Sequence, residues 1–440
     1  MITMVNRIVM ASLMIALPML ISCGNVQKQV TPRVTNNNGR VTLECVVPFD
    51  DIKKNEAFQN FEKDIKSTFP DYNIHMNFVK GDAKAYNTKI KVMLYSDMPP
   101  DIFYSGDGKF TNELSSAKRI QPLEKKLNDI NYWDMAIPGA KVIGDTGHIY
   151  AVPIDEAYYN VMLINTKMFS ENNIKVPENF AELKNAVKQF NENSITPIAV
   201  GGKDGRAVYN MIEGFASTLD HEITSKIIRG DDTFSGKSFR QGATSVTQLI
   251  QLDAFEKKIQ SISDEEAGEL FYSSEAAFYC TSSVNLRKAN DQLNGNVAVL
   301  YYPALARIDG SFSKNIVSGG IKKDSGLLIS SLTNYPAEAA KIAVKMSKYY
   351  NKYLYEQQGD GGIIYKLNSL AWNRSIAKGP EISELTRILK QKSNVNTGIF
   401  EANISPDKEK SIEEASAAFM TGLLSVNDYL EQMDITMKSK

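Results

Sequence analysis

The sequence predicts an α/β fold of mostly parallel sheets flanked by helices. Three observations carry this. Short β-branched apolar runs alternate with amphipathic helical periods from Val41 onward. The order strand, helix, strand, helix, strand over 41–118 demands crossover connections, and crossovers generate parallel pairs. At 440 residues the chain has room for two or three such units, each with its own core.

The elements follow in order. VTLECVVPF (41–49) reads as a strand, and Asn55 can cap a helix that carries Phe58, Phe61 and Ile65 on one face. IHMNFV (74–79) is the next strand, 83–95 a helix, DIFYS (101–105) a strand and 110–118 a helix. GHIYAVPIDEAYYNVMLINTKMF (147–169) holds two extended runs around an acidic, aromatic patch, Asp155 to Tyr159. Asn179 and Glu182 have capping-box spacing ahead of a helix with Leu183, Ala186, Val187 and Phe190 on one face. Further strands are expected at 196–200, 297–305 and 326–330, and helices at 206–220, 243–262 and 265–279. Pro336 opens a helix bearing Ala339, Ile342, Ala343 and Met346, and the remainder reads as helix-rich.

Composition excludes several functions. A formal net charge of −1 offers no basic field to hold nucleic acid. The pairs Lys53–Lys54, Lys125–Lys126 and Lys257–Lys258 read as solvated helix faces. The three cysteines and three histidines have no metal-ligand spacing, so neither metal nor cofactor is expected. Cys45 and Cys280 read as buried thiols, bridged only if their backbones approach closely.

The first residues form an address. Arg7 precedes a nearly all-apolar run, Ile8 to Ile21, too short to span a bilayer comfortably. No A-x-A cleavage site follows. Leu20-Ile21-Ser22-Cys23 stands there instead, and it resembles the bacterial lipobox, in which the cysteine sulfur is lipidated and becomes the mature first residue. The expectation is a signal peptide over 1–22, then lipidated Cys23 and a polar flexible tether to residue 40. The mature protein is then extracytoplasmic and held at the membrane by the lipid anchor alone.

In doubly wound sheets ligands bind beyond the carboxyl ends of the strands. The segments leaving those ends here carry Asp50, Asp51 and Asp107, which either cap helices and turns or hydrogen-bond a polar ligand.

The middle of the chain adds a resemblance. Gly147 with Tyr150 and Pro153, then a strand ending in Asn165 and Phe169, is similar to the extracellular solute-binding proteins of ABC transporters, in the carbohydrate-binding group related to maltose-binding protein. Pro100-Asp101-Ile102 upstream fits the same pattern. So do Phe271 to Phe278 (with Ser274 where the family has Gly), Pro303, Gly319–Gly320, Leu327 to Ser330, and Pro336 to Ala339. The resemblance runs over roughly 41–440 and implies a two-lobed, periplasmic-binding-protein-like fold. Lobe one would be 41–157 plus 303–357 and lobe two 160–299 plus 360–440, with hinges near 157–162, 299–303 and 355–362. It implies a monomer that captures a small polar ligand, expected to be a sugar, and passes it to ABC permease subunits.

By position in that pattern the ligand residues would be Asp50, Asp51 and Asp107 in lobe one, and Glu156 and Tyr158 at the hinge. In lobe two they would be Arg206, Tyr209, Ser283 and Asn285, with Trp372 and Arg374 in the carboxyl segment. Two departures stand out. Ser282-Ser283-Val284 replaces the family's Gly-Ser-Trp, and Ser105 stands where a Trp is common, so two rings that would stack on sugar are missing. Trp133 reads as packed on a surface, and Trp372 as core or cleft. Catalysis is not expected: Asp155 and Glu156 point to opposite faces if extended, and no histidine is placed by motif. The alternative is a surface lipoprotein of the same fold that binds a non-sugar ligand, or acts as an adhesin or sensor partner.

Overall fold

The computed structural model describes residues 40–137, 140–141, 147–306, 310–311, 315–358, 360–371, 395–402 and 404–439. Cys23, Trp372 and Arg374 lie outside them.

Among the described residues, eleven strands form two mixed sheets. The first contains β1 (Val41–Pro48), β2 (Tyr72–Val79), β3 (Ile102–Ser105), β4 (Ala151–Val152) and β10 (Gly326–Ile329), in the order β2-β1-β3-β10-β4. The second contains β5 (Tyr158–Asn165), β6 (Thr196–Ala199), β7 (Ala276–Ser282), β8 (Val297–Leu300), β9 (Val317–Gly320) and β11 (Val395–Thr397). Its order is β11-β9-β5-β7-β6, with β8 also against β5.

The α/β class is as the sequence predicts, but the sheets are less parallel than expected. β1 runs parallel to β2 and β3, as their crossover helices require. β10 arrives from the other sheet and runs antiparallel to β3 and β4. β5 makes the reverse journey and is antiparallel to β7, β8 and β9. A strand that enters a sheet from its neighbour comes in from the opposite end, which sets its direction.

Three sequence expectations change. The stretch 265–279 is helix only over Asp264–Tyr272; its second half is the central strand β7. Ser274, with φ +60, turns the chain between them. A continuous apolar run cannot by itself separate a buried strand from a buried helix. The helix expected to reach 262 stops at Gln251, where Asp253 takes a left-handed conformation. The chain crosses from β9 to β10 within 321–325, so Val317–Gly320 sits in the second sheet rather than with the residues after 303. Trp133 packs edge-on against buried Tyr132 and beneath Lys141.

Cys45 lies in β1 and Cys280 in β7; both are buried free thiols, and burial pushes both pKa values up. Gly319, with φ +119, lies where a Cβ would run into the Tyr158 carbonyl oxygen, so β9 can approach β5 only without a side chain there. Gly319→Ala should therefore destabilise the protein by about 2 kcal/mol or more in urea unfolding. Full retention of the wild-type midpoint would show that β9 can shift freely.

Candidate functional site

The three aspartates at the carboxyl ends of β1 and β3 cap backbone. Asp50 accepts from the Gly81 N–H at 2.6 Å, Asp51 from the Lys54 N–H at 3.0 Å and Asp107 from the Lys109 N–H at 2.9 Å. Asp51 alone also enters a charged network.

That network centres on Lys54, which is only 5% exposed. It sits in the first turn of the helix Ile52–Thr68, where the helix dipole disfavours a cation. Its ammonium pairs with Asp155 at 2.7 Å and Asp51 at 2.8 Å. The rings of Tyr104 and Tyr350 flank it at 4.9 and 5.3 Å. Asp155 in turn accepts from the Tyr104 hydroxyl at 3.0 Å and the Ser325 hydroxyl at 2.6 Å. Burial opposes the charge on Lys54, yet Asp155 and the surrounding groups hold its pKa well above the ordinary lysine value. Burial likewise opposes ionised Asp155, and Lys54 overcomes it, leaving that pKa lowered.

Lys53 faces elsewhere. Its ammonium lies 3.1 Å from Glu156 and 3.5 Å from Asp360, one on each of two segments that leave the first sheet. Those segments also join directly through the Ala157 N–H and the Gly362 carbonyl at 2.7 Å. Burial raises the pKa of Glu156 despite Lys53, and raises that of half-buried Tyr158 beside it. The reading of Lys53–Lys54 as a solvated face is thus overturned, since both are committed to carboxylates. Two lysines in the first turn of a helix, directly after its capping aspartate, were the available signal.

Two cavities open at the carboxyl end of β7. The first, about 360 Å³, is lined by Lys53, Gln358 and Asp360 on one side and Ser283, Arg287 and Asp291 on the other. The second, about 320 Å³, is lined by Asp204, Arg206, Asn210, Asp264, Thr281 and Glu413. Thr281–Ser282 border one and Ser283–Val284 the other, so a single chain turn separates them. Arg206 pairs with Glu413 at 2.8 Å and Glu409 at 3.4 Å, with its guanidinium over the Phe400 ring at 4.0 Å.

The structure brings Ser283 and Arg206 to these cavities, and places Glu156 behind Lys53. Ser283 also accepts the Tyr159 N–H at 3.1 Å. Asn285 turns back to the Thr281 hydroxyl at 2.8 Å. Tyr209 is a correction: it is fully buried among Phe234, Phe239 and Phe400 and donates to Glu213. It belongs to the apolar stripe of its helix, so packing claims it. Asp50 and Asp107 line neither cavity among the described residues. Sequence reasoning did not single out Arg287, Asp360 or Asp264, and it read Lys53 as solvated.

The description "bacterial extracellular solute-binding protein" matches residues 56–372. The chain belongs to that family. Solute-binding proteins of this family are extracellular, which places the chain outside the cytoplasm, and no helix among the described residues is long and apolar enough to cross a membrane. Solved structures share the fold. A protein from a study of xylan utilization by the thermophilic bacterium Caldanaerobius polysaccharolyticus is 21% identical, with a TM-score of 0.67 over 90% of this chain and 99% of that one. A chitin oligosaccharide binding protein is 20% identical, with a TM-score of 0.68 over 90% and 98%. The GacH receptor of Streptomyces glaucescens, solved unliganded and with acarbose, is 16% identical, with a TM-score of 0.59 over 90% and 97%. No curated protein matches the chain in sequence.

Lys54→Met should cost ~3–5 kcal/mol in urea unfolding near neutral pH, because it leaves Asp155 buried without its cation. Adding Asp155→Asn should restore part of that loss. Because the Asp155 pKa is lowered on folding, its contribution is present above the unfolded value of about 3.9 and is lost as pH falls through the folded one. Asp155→Asn should therefore flatten the acid limb of the stability curve; an unchanged limb would assign acid sensitivity to other groups.

Proposed function

We propose that this solute-binding protein captures a carbohydrate in the two cavities at the end of β7 and delivers it to an ABC importer permease. The observation that supports this reading is the chemistry of the cavity walls. Carboxylates, amides, hydroxyls and cationic donors surround both spaces, the functional groups a polyol requires. The sugar-related names of several fold relatives point the same way. The two sheets act as lobes. Lys53 and Asp360 approach the ligand from one side, and Ser283, Arg206 and Asp264 from the other. A ligand touching both sides favours the closed arrangement, and the permease reads that state. Capture without turnover is the role. Lipidation at Cys23 would keep the receptor close to its permease and raise its effective concentration there.

None of the described residues lining either cavity is aromatic. That favours a small or modified sugar held by hydrogen bonds over a long oligosaccharide held by stacking. It also keeps a second reading open, a surface lipoprotein of this fold that binds a non-sugar polar ligand.

A thermal-shift screen over mono- and oligosaccharides separates the two. Ligand at about 100 times its Kd adds about 2.7 kcal/mol of stability. Shifts with peptides or ions and none with any sugar would replace the carbohydrate reading. For a sugar that binds, Asp264→Asn and Arg287→Gln should each weaken affinity about tenfold or more, as expected for a lost charged hydrogen bond. Cys23→Ala should release the protein from the membrane and leave that affinity intact.

A further inference from the structure

Beside the second cavity, two acidic side chains meet in the interior. Glu213 is fully buried on the helix Arg206–Leu219. Its Oε1 accepts three hydrogen bonds, from the Tyr209 hydroxyl at 3.1 Å, the Thr224 hydroxyl at 2.8 Å and the Ile399 N–H at 3.0 Å. Its Oε2 is buried and has no hydrogen-bond partner. Glu401 keeps part of its surface in solvent, but its Oε2 is equally buried and unpartnered. Both oxygens border the same glycine, Gly398. A Cβ placed on Gly398 would collide with Glu401 Oε2 and come within 3.3 Å of Glu213 Oε2.

Among the described residues the cation that acts on Glu401 is Arg206, and its effect is smaller than that of burial or of Glu213. Arg206 is engaged by Glu413 and Glu409 and stacked on Phe400. Lys322 acts on Glu409, and Lys323 meets Glu401 through its backbone N–H, 2.9 Å from the Glu401 carbonyl. Tyr209, Tyr302 and Tyr429 face Glu213 as phenols whose pKa values burial raises. The Ser318 hydroxyl of β9 acts on Glu213 as a neutral donor that favours its charged form, and Asn396 of β11 is spent on Ser217 and Thr224. Neighbouring carboxylates in a buried site disfavour double ionisation, and the charge of Glu213 raises the pKa of Glu401.

We propose that Glu213 and Glu401 share one proton, forming a carboxyl–carboxylate hydrogen bond that locks residues 395–402 onto the helix Arg206–Leu219 and opens on alkalinisation. The proton comes from and returns to solvent. The locked segment contains β11, the edge of the second sheet, and Phe400, whose ring supports Arg206, a residue that lines the second cavity. This goes beyond the carbohydrate reading and stands without it.

The burial of both carboxyls agrees with the geometry. Burial pushes Glu213 up to about 7; burial and then the charge of Glu213 push Glu401 up to about 8. Both values lie above the ordinary glutamate range, so the folded state binds more protons than the unfolded one. The stabilisation is complete at acid pH and is lost as pH rises through the folded values.

The test uses the full chain. Its melting temperature should fall by several degrees between about pH 6 and pH 9, and hydrogen exchange over 395–402 should accelerate beyond the intrinsic pH effect. Glu401→Gln should flatten both changes, because its amide donates to Glu213 Oε2 with no proton to lose. A variant that keeps the wild-type slope overturns the proposal. So does stabilisation of the wild type, but not the variant, by added calcium, which would make the shared occupant a metal ion. Should the variant fail to fold, infrared spectroscopy of the wild type decides. A protonated-carboxyl band present at about pH 6 and lost by about pH 9 supports the shared proton, and its absence at the lower pH overturns it.

Discussion

The buried ammonium of Lys54 is the constraint around which the first sheet and its exits are arranged. A lysine deprived of water is tolerable only with its charge matched and its donors used. Asp51, Asp155, Tyr104 and Tyr350 meet that demand, and each comes from a different place: a helix cap, a segment leaving the sheet, strand β3 and the helix Pro336–Tyr353. Ser325, on the incoming path of β10, completes the shell of Asp155. One side chain therefore fixes where the chain leaves the first sheet and where it returns.

Lys53 extends the same logic outward. Successive helical residues diverge by about 100°, so one lysine can point into the interior while its neighbour reaches the departing segments. Lys53 is 39% exposed, and its pairs with Glu156 and Asp360 are weaker and more easily exchanged. A rigid buried pair thus stands beside a labile one at a cavity mouth. On the proposed reading, a ligand hydroxyl would compete for Lys53 without disturbing the network that holds the segments in place.

Much of the architecture was legible because it rests on local periodicity. Phe58, Phe61 and Ile65 specify a helix face, and Leu183, Ala186, Val187 and Phe190 another; all seven are buried. The glycine pair at 319–320 was legible only through resemblance, and the structure supplies the reason, a strand approach that excludes a side chain. What failed depends on tertiary context. β7 lacks alternation because both its faces are covered, so its sequence could not declare a strand. Tyr209 is polar enough to suggest a ligand, but its position in an apolar stripe decided its fate. The three aspartates after β1 and β3 satisfied backbone donors first, as short acidic side chains at helix starts usually do. Arg287, Asp264 and Asp360 could not be found by spacing, since only the fold brings positions so far apart in the chain to one strand end.

The absence of rings from the described cavity walls bears on selectivity. Stacking on an apolar sugar face contributes affinity while discriminating weakly among sugars, because many share such a face. Walls of carboxylates, amides and cations work differently. A hydroxyl that is missing or reversed leaves a charged or polar group desolvated and unpaired, and that penalty discriminates far more steeply than lost apolar contact. On the proposed reading, closing such walls around nothing would be costly, because groups such as Asp264 would lose water without a replacement partner. If the proposed function holds, such a receptor would stay open until a ligand with the right donors and acceptors arrives. Its selectivity and its conformational response would then have one physical origin: the cost of burying polar groups that have not found partners.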